Sequence, residues 1–168
     1  MKIHGVHHFG ITVPNIADAM AFFEKAFGAV RVFNTGPFDV DDKFMSGKLG
    51  AAPQSRIKDL VMMRVGNGTT IEFFEYSGDA AARTLRSSEP GGMHLAFEVD
   101  DVHKSLPELK ALGVEILDGP NTNEGGPLDG LTWIYFRAPW GLMLEILSYK
   151  KLGYEADTKA RLYDPKLG

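Results

Sequence analysis

His8-Phe9-Gly10-Ile11-Thr12-Val13-Pro14-Asn15-Ile16 and His94-Leu95-Ala96-Phe97-Glu98-Val99-Asp100-Asp101-Val102 are two renderings of one pattern. Each runs His, apolar, small, apolar, and then reaches Val, a turn pair and an aliphatic residue. Each is followed by a helical pattern that closes on a glycine, Gly28 or Gly113. Further along, Thr69-Thr70-Ile71-Glu72-Phe73-Phe74-Glu75-Tyr76 matches Leu142-Met143-Leu144-Glu145-Ile146-Leu147-Ser148-Tyr149 as a strand with an early glutamate. A glycine turn precedes both, Gly66-Asn67-Gly68 and Pro139-Trp140-Gly141. The chain therefore reads as a duplication.

Within each half the order is strand, helix, then three strands. His8 to Val13 is a short apolar strand. Asn15 can cap a helix whose inner face is Ile16, Ala19, Met20, Phe23 and Phe27, and Gly28 ends it. Strands follow near Ala29–Phe33, Ile57–Val65 and Thr69–Tyr76. The second half places strands near Met93–Val99, Glu115–Leu117, Leu131–Phe136 and Leu142–Ser148. Its helix ends near Leu112. Pro107 in a helix interior forfeits a hydrogen bond, so the reading starts that helix near Ser105, with Pro107 in its first turn. The spacing from His8 to Glu72 is 64 positions and that from His94 to Glu145 is 51, so the first half carries 13 more. They are assigned to a long loop over residues 36–53, the kind of segment that forms lids. The expected divisions are a first module over 1–80, a second over 87–148, and a polar C-terminal tail over 149–168. With Tyr154 and Tyr163 as anchors on offer, that tail is expected either to pack on a partner or to fray. Residues 118–130, rich in Asn, Gly and Pro, read as a second loop.

Composition narrows the functional classes. The 168 residues carry a net charge of −4, which argues against a nucleic-acid partner. No run is long and apolar enough for a membrane span, and no signal pattern opens the chain, so a cytoplasmic protein with no membrane partner is expected. There is no cysteine, which removes thiolate chemistry and sulfur-ligated metal. Any metal must be held by nitrogen and oxygen, a set suited to Zn, Ni, Co, Mn or Fe.

Each half offers one such pair: His8 with Glu72, and His94 with Glu145. Taken singly, a histidine is more often packed or surface-exposed than a ligand, and a strand glutamate more often faces solvent. Recurrence of the same two chemical types at matching places outweighs that reading. If the first and last strands of each half are neighbours, each His stands beside its Glu, and a pseudo-twofold pairing of the halves would bring all four to one divalent ion. Two buried glutamates would be costly without that cation. Of the remaining candidates, His7 should point to the face opposite His8, and Glu75 to the face opposite Glu72. Glu98 shares the His94 face and reads as a rim residue. His4 and His103 read as solvated. Phe38, Phe44 and Met45 in the long loop, with Trp133 and Tyr135, could line a moderately apolar pocket, although strand aromatics are more often core.

These motifs resemble those of the vicinal oxygen chelate superfamily, which includes glyoxalase I, methylmalonyl-CoA epimerase, extradiol dioxygenases and the bleomycin and fosfomycin resistance proteins. The carriers are His8 in His-Phe-Gly-Ile-Thr-Val, Glu72 in Ile-Glu-Phe-Phe, His94 in His-Leu-Ala-Phe-Glu-Val-Asp-Asp and Glu145 in Gly-Leu-Met-Leu-Glu-Ile, spread over about the first 148 positions. The resemblance implies an α+β fold of two paired βαβββ modules forming an open cup-shaped sheet around a central metal site, often as a homodimer. Extradiol dioxygenases of the superfamily lack a carboxylate at the position of Glu72, whereas glyoxalase I has one. Trp140 departs from the commoner acidic residue of its turn. The stretch from Ala138 through Tyr149 is similar to that of cyclitol epimerases.

The function expected is a metal-dependent isomerase, epimerase or glyoxalase-like lyase acting on a small carbonyl substrate. Its chemistry would pass through a metal-stabilised enediolate, with Glu72 or Glu145 as catalytic base. An Fe(II) dioxygenase and a non-catalytic ligand-binding or resistance protein are the alternatives. A glutathione substrate would need basic groups, for which Arg31, Arg56, Arg64 and Arg137 are available.

Overall fold

The computed structural model describes residues 1–3, 5–78 and 84–166. His4 lies outside them. The chain divides into two compact units, one comprising Met1–Ala82 with Pro165–Gly168 and the other Arg83–Asp164. No helix among the described residues is long and apolar enough to cross a membrane. The fold is α+β, with one open four-stranded mixed sheet in each unit.

In the first unit the elements are β1 (His8–Thr12), α1 (Ile16–Phe27), β2 (Val30–Asn34), α2 (Asp42–Leu49), β3 (Arg56–Arg64) and β4 (Thr70–Ser77). The sheet order is β1-β4-β3-β2. First and last strands are thus neighbours, and they run parallel. Helix α1 forms where the sequence reading placed it. The Asn15 side chain accepts from the Asp18 N–H at 2.9 Å, and Gly28 ends the helix in the left-handed region at φ 61°. Its buried face is Ile16, Ala19, Phe22 and Phe23. Phe22 belongs to the core where the periodicity had favoured Met20. Phe23 packs against Phe73 of β4 with ring centroids 4.9 Å apart, which seats the helix on the side of the sheet carrying Ile71, Phe73 and Glu75.

The stretch 36–53 is not the open loop expected of it. It contains α2, capped by the Asp41 side chain on the Phe44 N–H at 2.7 Å and closed by Gly50. Met45 of this helix is fully buried against Ile57 and Leu60, with Phe38, Val40, Ala51, Phe74 and Tyr76 around it. Met45 and Phe38 are therefore core residues, and Met45 pins the insertion to the sheet.

The second unit consists of β5 (His94–Glu98), α3 (Val102–Ala111), β6 (Asn121–Thr122), β7 (Thr132–Arg137), β8 (Met143–Ser148) and a short 3-10 helix at Gly153–Ala156. Its order, β5-β8-β7-β6, repeats that of the first unit, with β5 parallel to β8. Three expectations need correction here. Helix α3 starts at Val102, not near Ser105, because Asp101 caps it by accepting from the Lys104 N–H at 3.2 Å, and Val102 is wholly buried. Pro107 sits inside the helix at the loss of one bond. The strand expected at Glu115–Leu117 is reduced to a bridge between Ile116 and Phe136. Pro120 has no N–H to continue the edge ladder, and β6 takes up the pairing beyond it, inside the stretch read as loop. The tail, finally, begins by docking on its own unit. Leu152 is buried, the Tyr154 N–H donates to the Pro127 carbonyl at 2.9 Å, and a Cβ on Gly153 would meet the Gly126 carbonyl at 2.1 Å. Tyr163 stays exposed.

Glu75 faces the helix side, as its spacing from Glu72 requires. There it accepts from the Ile16 N–H at 2.9 Å, at the positive end of α1, and pairs with Lys58. The Lys58 hydrogen bond first, and the Ile16 N–H second, hold its carboxyl below the usual range. A lowered folded-state pKa means stability that is present above the ordinary carboxylate value and lost as the pH falls below it. Glu75→Gln is expected to be about 1–2 kcal/mol less stable than wild type at pH 7. Urea unfolding across a pH series should show that gap closing below roughly pH 4.5; a gap unchanged at pH 3 contradicts this role.

Candidate metal centre

Strand alternation sorts each sheet into a helix-covered face and an opposite face, and the candidate ligands all fall on the second. In the first unit that face carries His8 and Gly10 from β1, Glu72, Phe74 and Tyr76 from β4, and Leu60 and Met62 from β3. In the second it carries His94 and Ala96 from β5, Met143 and Glu145 from β8, and Trp133 and Tyr135 from β7.

The registers match residue for residue. Gly10 lies opposite Glu72 and Ala96 opposite Glu145, with the histidine two residues earlier in each strand. A small residue at that place leaves room for the imidazole to lean along the strand toward the carboxylate. A Cβ on Gly10 would already stand 3.7 Å from Glu72 Oε2. The outcome is His8 Nε2 at 3.3 Å from Glu72 Oε2, and His94 Nε2 at 3.2 Å from Glu145 Oε2. Two donors each about 2.1 Å from one ion, separated by such a distance, subtend an angle of about 100°, between the octahedral and tetrahedral values. Imidazole nitrogen with carboxylate oxygen is also the donor set of borderline divalent metals. Each pair therefore fits half of a metal centre. Among the described residues no group of three or more His, Cys, Asp or Glu side chains is gathered at metal-binding spacing.

The pairs differ in their surroundings. Glu145 is 6% exposed, and burial pushes its carboxyl above the usual range against the opposing pull of His94 and Tyr135. Glu72 is more open, its side chain 17% exposed. Across the sheet from Glu145 stands Tyr135, and across from Glu72 stands Met62. Burial first, and the Glu145 charge second, push the Tyr135 phenol up.

His7 does not turn away from His8 as expected. Its Nδ1 lies 2.9 Å from His8 Nδ1, because it precedes β1 and is free of the strand's alternation. If His8 Nδ1 carries the proton, this contact leaves His8 Nε2 as the lone-pair donor facing Glu72. His103 is exposed on α3. Of the arginines, Arg56 is engaged by Asp42 at 2.6 Å and Arg137 by Glu115 at 3.4 Å. Sequence reasoning offers Tyr135 as a pocket residue and misses its place directly across from Glu145. The spacing of ten residues across the β7–β8 hairpin was the available signal, and it needs the register to be read.

Two modules of this topology, each presenting a histidine and a glutamate on its helix-free face, define a class of duplicated βαβββ proteins. Residues 5–146 match the family model described as the glyoxalase, bleomycin resistance protein and dioxygenase superfamily, and the chain belongs to that superfamily. It is 37% identical over 164 residues to a 2-epi-5-epi-valiolone epimerase of an Actinomyces species, covering 96% of this chain and 88% of that one. Among solved structures it is similar to a glyoxalase family protein from Bacillus cereus, with a TM-score of 0.71, 18% identity, and coverage of 90% of this chain and 97% of that one. It is also similar to a genomically encoded fosfomycin resistance protein from Listeria monocytogenes, with a TM-score of 0.56, 20% identity, and coverage of 89% and 95%. A mutant of that protein was solved with Mn(II) and 1S,2S-dihydroxypropylphosphonic acid. Kinship with an epimerase across nearly the whole chain supports an activity of the epimerase or isomerase type.

A carboxylate whose pKa is raised by folding costs stability once the pH rises through its folded value. Glu145→Gln is therefore expected to stabilise chelator-treated protein at pH 7 by roughly 1 kcal/mol, or about 2–4 °C in the thermal midpoint. The gain should vanish below the ordinary carboxylate range. Calorimetry in chelator measures it, and a lower midpoint at pH 7 would contradict the burial cost.

Proposed function

We propose that the protein is a metal-dependent epimerase that inverts a carbon next to a ketone in a small polyhydroxylated ring, with 2-epi-5-epi-valiolone as the first substrate to try. The observation that carries this reading is the repeated His–Glu pair in identical register, in a chain 37% identical to an enzyme of that name. His8, Glu72, His94 and Glu145 would together hold one divalent ion. Such an ion, when bound, supplies positive charge to the carbonyl oxygen and so acidifies the neighbouring C–H.

The protein's own groups do the proton transfers. Inversion needs a base on one side of the carbon and an acid on the other. The two glutamates come from different repeats, so two separate carboxylates are available for the two roles. One carboxylate takes the proton and the other returns one to the opposite face, the carbon skeleton and oxidation state being unchanged. His8 and His94 would serve only to hold the ion.

Freshly purified protein is expected to hold one divalent ion per chain by elemental analysis. With 2-epi-5-epi-valiolone in deuterium oxide, NMR should show solvent deuterium entering at the carbon beside the ketone. Chelation should stop the exchange, and Mn(II) or Co(II) should restore it. Glu72→Gln and Glu145→Gln should each slow it by at least about 100-fold. Wild-type exchange rates in both variants would falsify the carboxylate mechanism.

A further inference from the structure

His7 and His8 are consecutive, yet their rings meet. His7 Nδ1 lies 2.9 Å from His8 Nδ1, and the rings stand edge-on, with centroids 5.2 Å apart and planes at 85°. Two neutral imidazoles touching in this way need one proton between the facing nitrogens, because two lone pairs would repel and so would two N–H groups. The contact therefore sets the two rings in opposite tautomers. His7 is also tied to the strand that carries Glu72. Its carbonyl accepts from the Thr69 and Thr70 hydroxyls at the entry to β4, and His8 lies in register with Thr70. On its other side His8 presents Nε2 to Glu72 Oε2 at 3.3 Å. All of these groups belong to the first unit. At the place matching His7 the second repeat has Met93, whose thioether is a weak acceptor.

We propose that His7 is a positioning residue for a divalent cation bound beside Glu72: it accepts the His8 Nδ1 proton and so commits the His8 Nε2 lone pair to the ion. This rests on the metal-centre reading above and concerns the first repeat's pair alone. The contact admits two arrangements. If His7 donates, His8 keeps its proton on Nε2 and points it at Glu72. If His7 accepts, the His8 proton sits on Nδ1 and Nε2 is bare. A carboxylate facing a bare nitrogen is unfavourable until a cation stands between them, so binding selects the second arrangement. The proton balance closes. His8 releases its Nε2 proton to solvent, the His7 Nδ1 proton passes to His8 Nδ1, and His7 takes one from solvent at Nε2. An acceptor on the far nitrogen of a ligand histidine fixes its ring and raises its basicity, and commonly accounts for 10–100-fold in metal affinity.

Zn(II) alone is the probe, on the full chain, with the histidine tautomers read from long-range proton–nitrogen NMR correlations. In the Zn(II)-loaded protein His8 is expected to carry its proton on Nδ1 and His7 on Nε2. A His7 proton on Nδ1 in that spectrum, or a His8 proton on Nε2, would overturn the proposal. Titration calorimetry is the second arm. His7→Leu removes the acceptor and should weaken Zn(II) binding by about 10-fold. His7→Asn returns an acceptor oxygen to the place of Nδ1 and should recover most of that loss. Met93→Leu, at the matching place of the other repeat, is the control that should leave the affinity unchanged. Equal losses in His7→Leu and His7→Asn would mark a packing role and overturn the proposal, and so would wild-type affinity in His7→Leu. Those outcomes leave the metal reading standing, whereas a wild-type protein that binds no Zn(II) removes that reading and this inference with it.

Discussion

The parallel pairing of the first and last strand of each repeat is the constraint from which the rest follows. An antiparallel hairpin could place His and Glu near one another only through a tight turn. Here 64 residues separate one pair and 51 the other, and the sheet closes that distance by making the sequence-distant strands neighbours. Parallel strands require a crossover, which α1 and α3 supply. The helix then covers one face of the sheet and leaves the other for polar side chains. Registers of His8 with Thr70 and of His94 with Met143 do the remaining work, since a slip of one residue would put either glutamate under the helix.

Three glutamates on two equivalent strands show how environment assigns roles to one chemical group. Glu75 is nearly buried yet settled, because Lys58 and the first turn of α1 supply positive charge and a donor. Glu145 is as buried with only neutral or weakly basic neighbours, His94 and Tyr135, and folding works against its charge. Glu72 is more open to solvent and stands beside Met62. A group that stabilises the fold finds its counter-charge within the chain, whereas Glu145 has a deficit that a bound cation would relieve.

The modules have diverged mainly at their edges. In the first, the extra residues became α2, which Met45 anchors on the same sheet face as Glu72. In the second, the corresponding edge is broken at Pro120, and the stretch beyond it receives the tail through Leu152 and Tyr154. Both additions are local to their own unit. They leave the paired inner strands untouched, which is where the matching registers lie.

Much of this was legible in the residues alone. The duplication, the succession of elements along each repeat, the Asn15 and Gly28 ends of α1 and the family resemblance all followed from periodicity, turn chemistry and repeated motifs, because those signals are local or recur along the chain. The breaks in that reading came where a local signal was overruled at a distance. Asp101 and the buried Val102 outweighed Pro107, Met45 turned a glycine- and proline-rich loop into a seated helix, and His7 fell outside the strand whose alternation was meant to orient it. Which residue stands across from each glutamate, Tyr135 or Met62, was decided only by the antiparallel register of β7 with β8 and of β3 with β4. Register is a property of two strands together, set by packing and by bulges such as those in β2 and β3, and neither strand's sequence contains it alone.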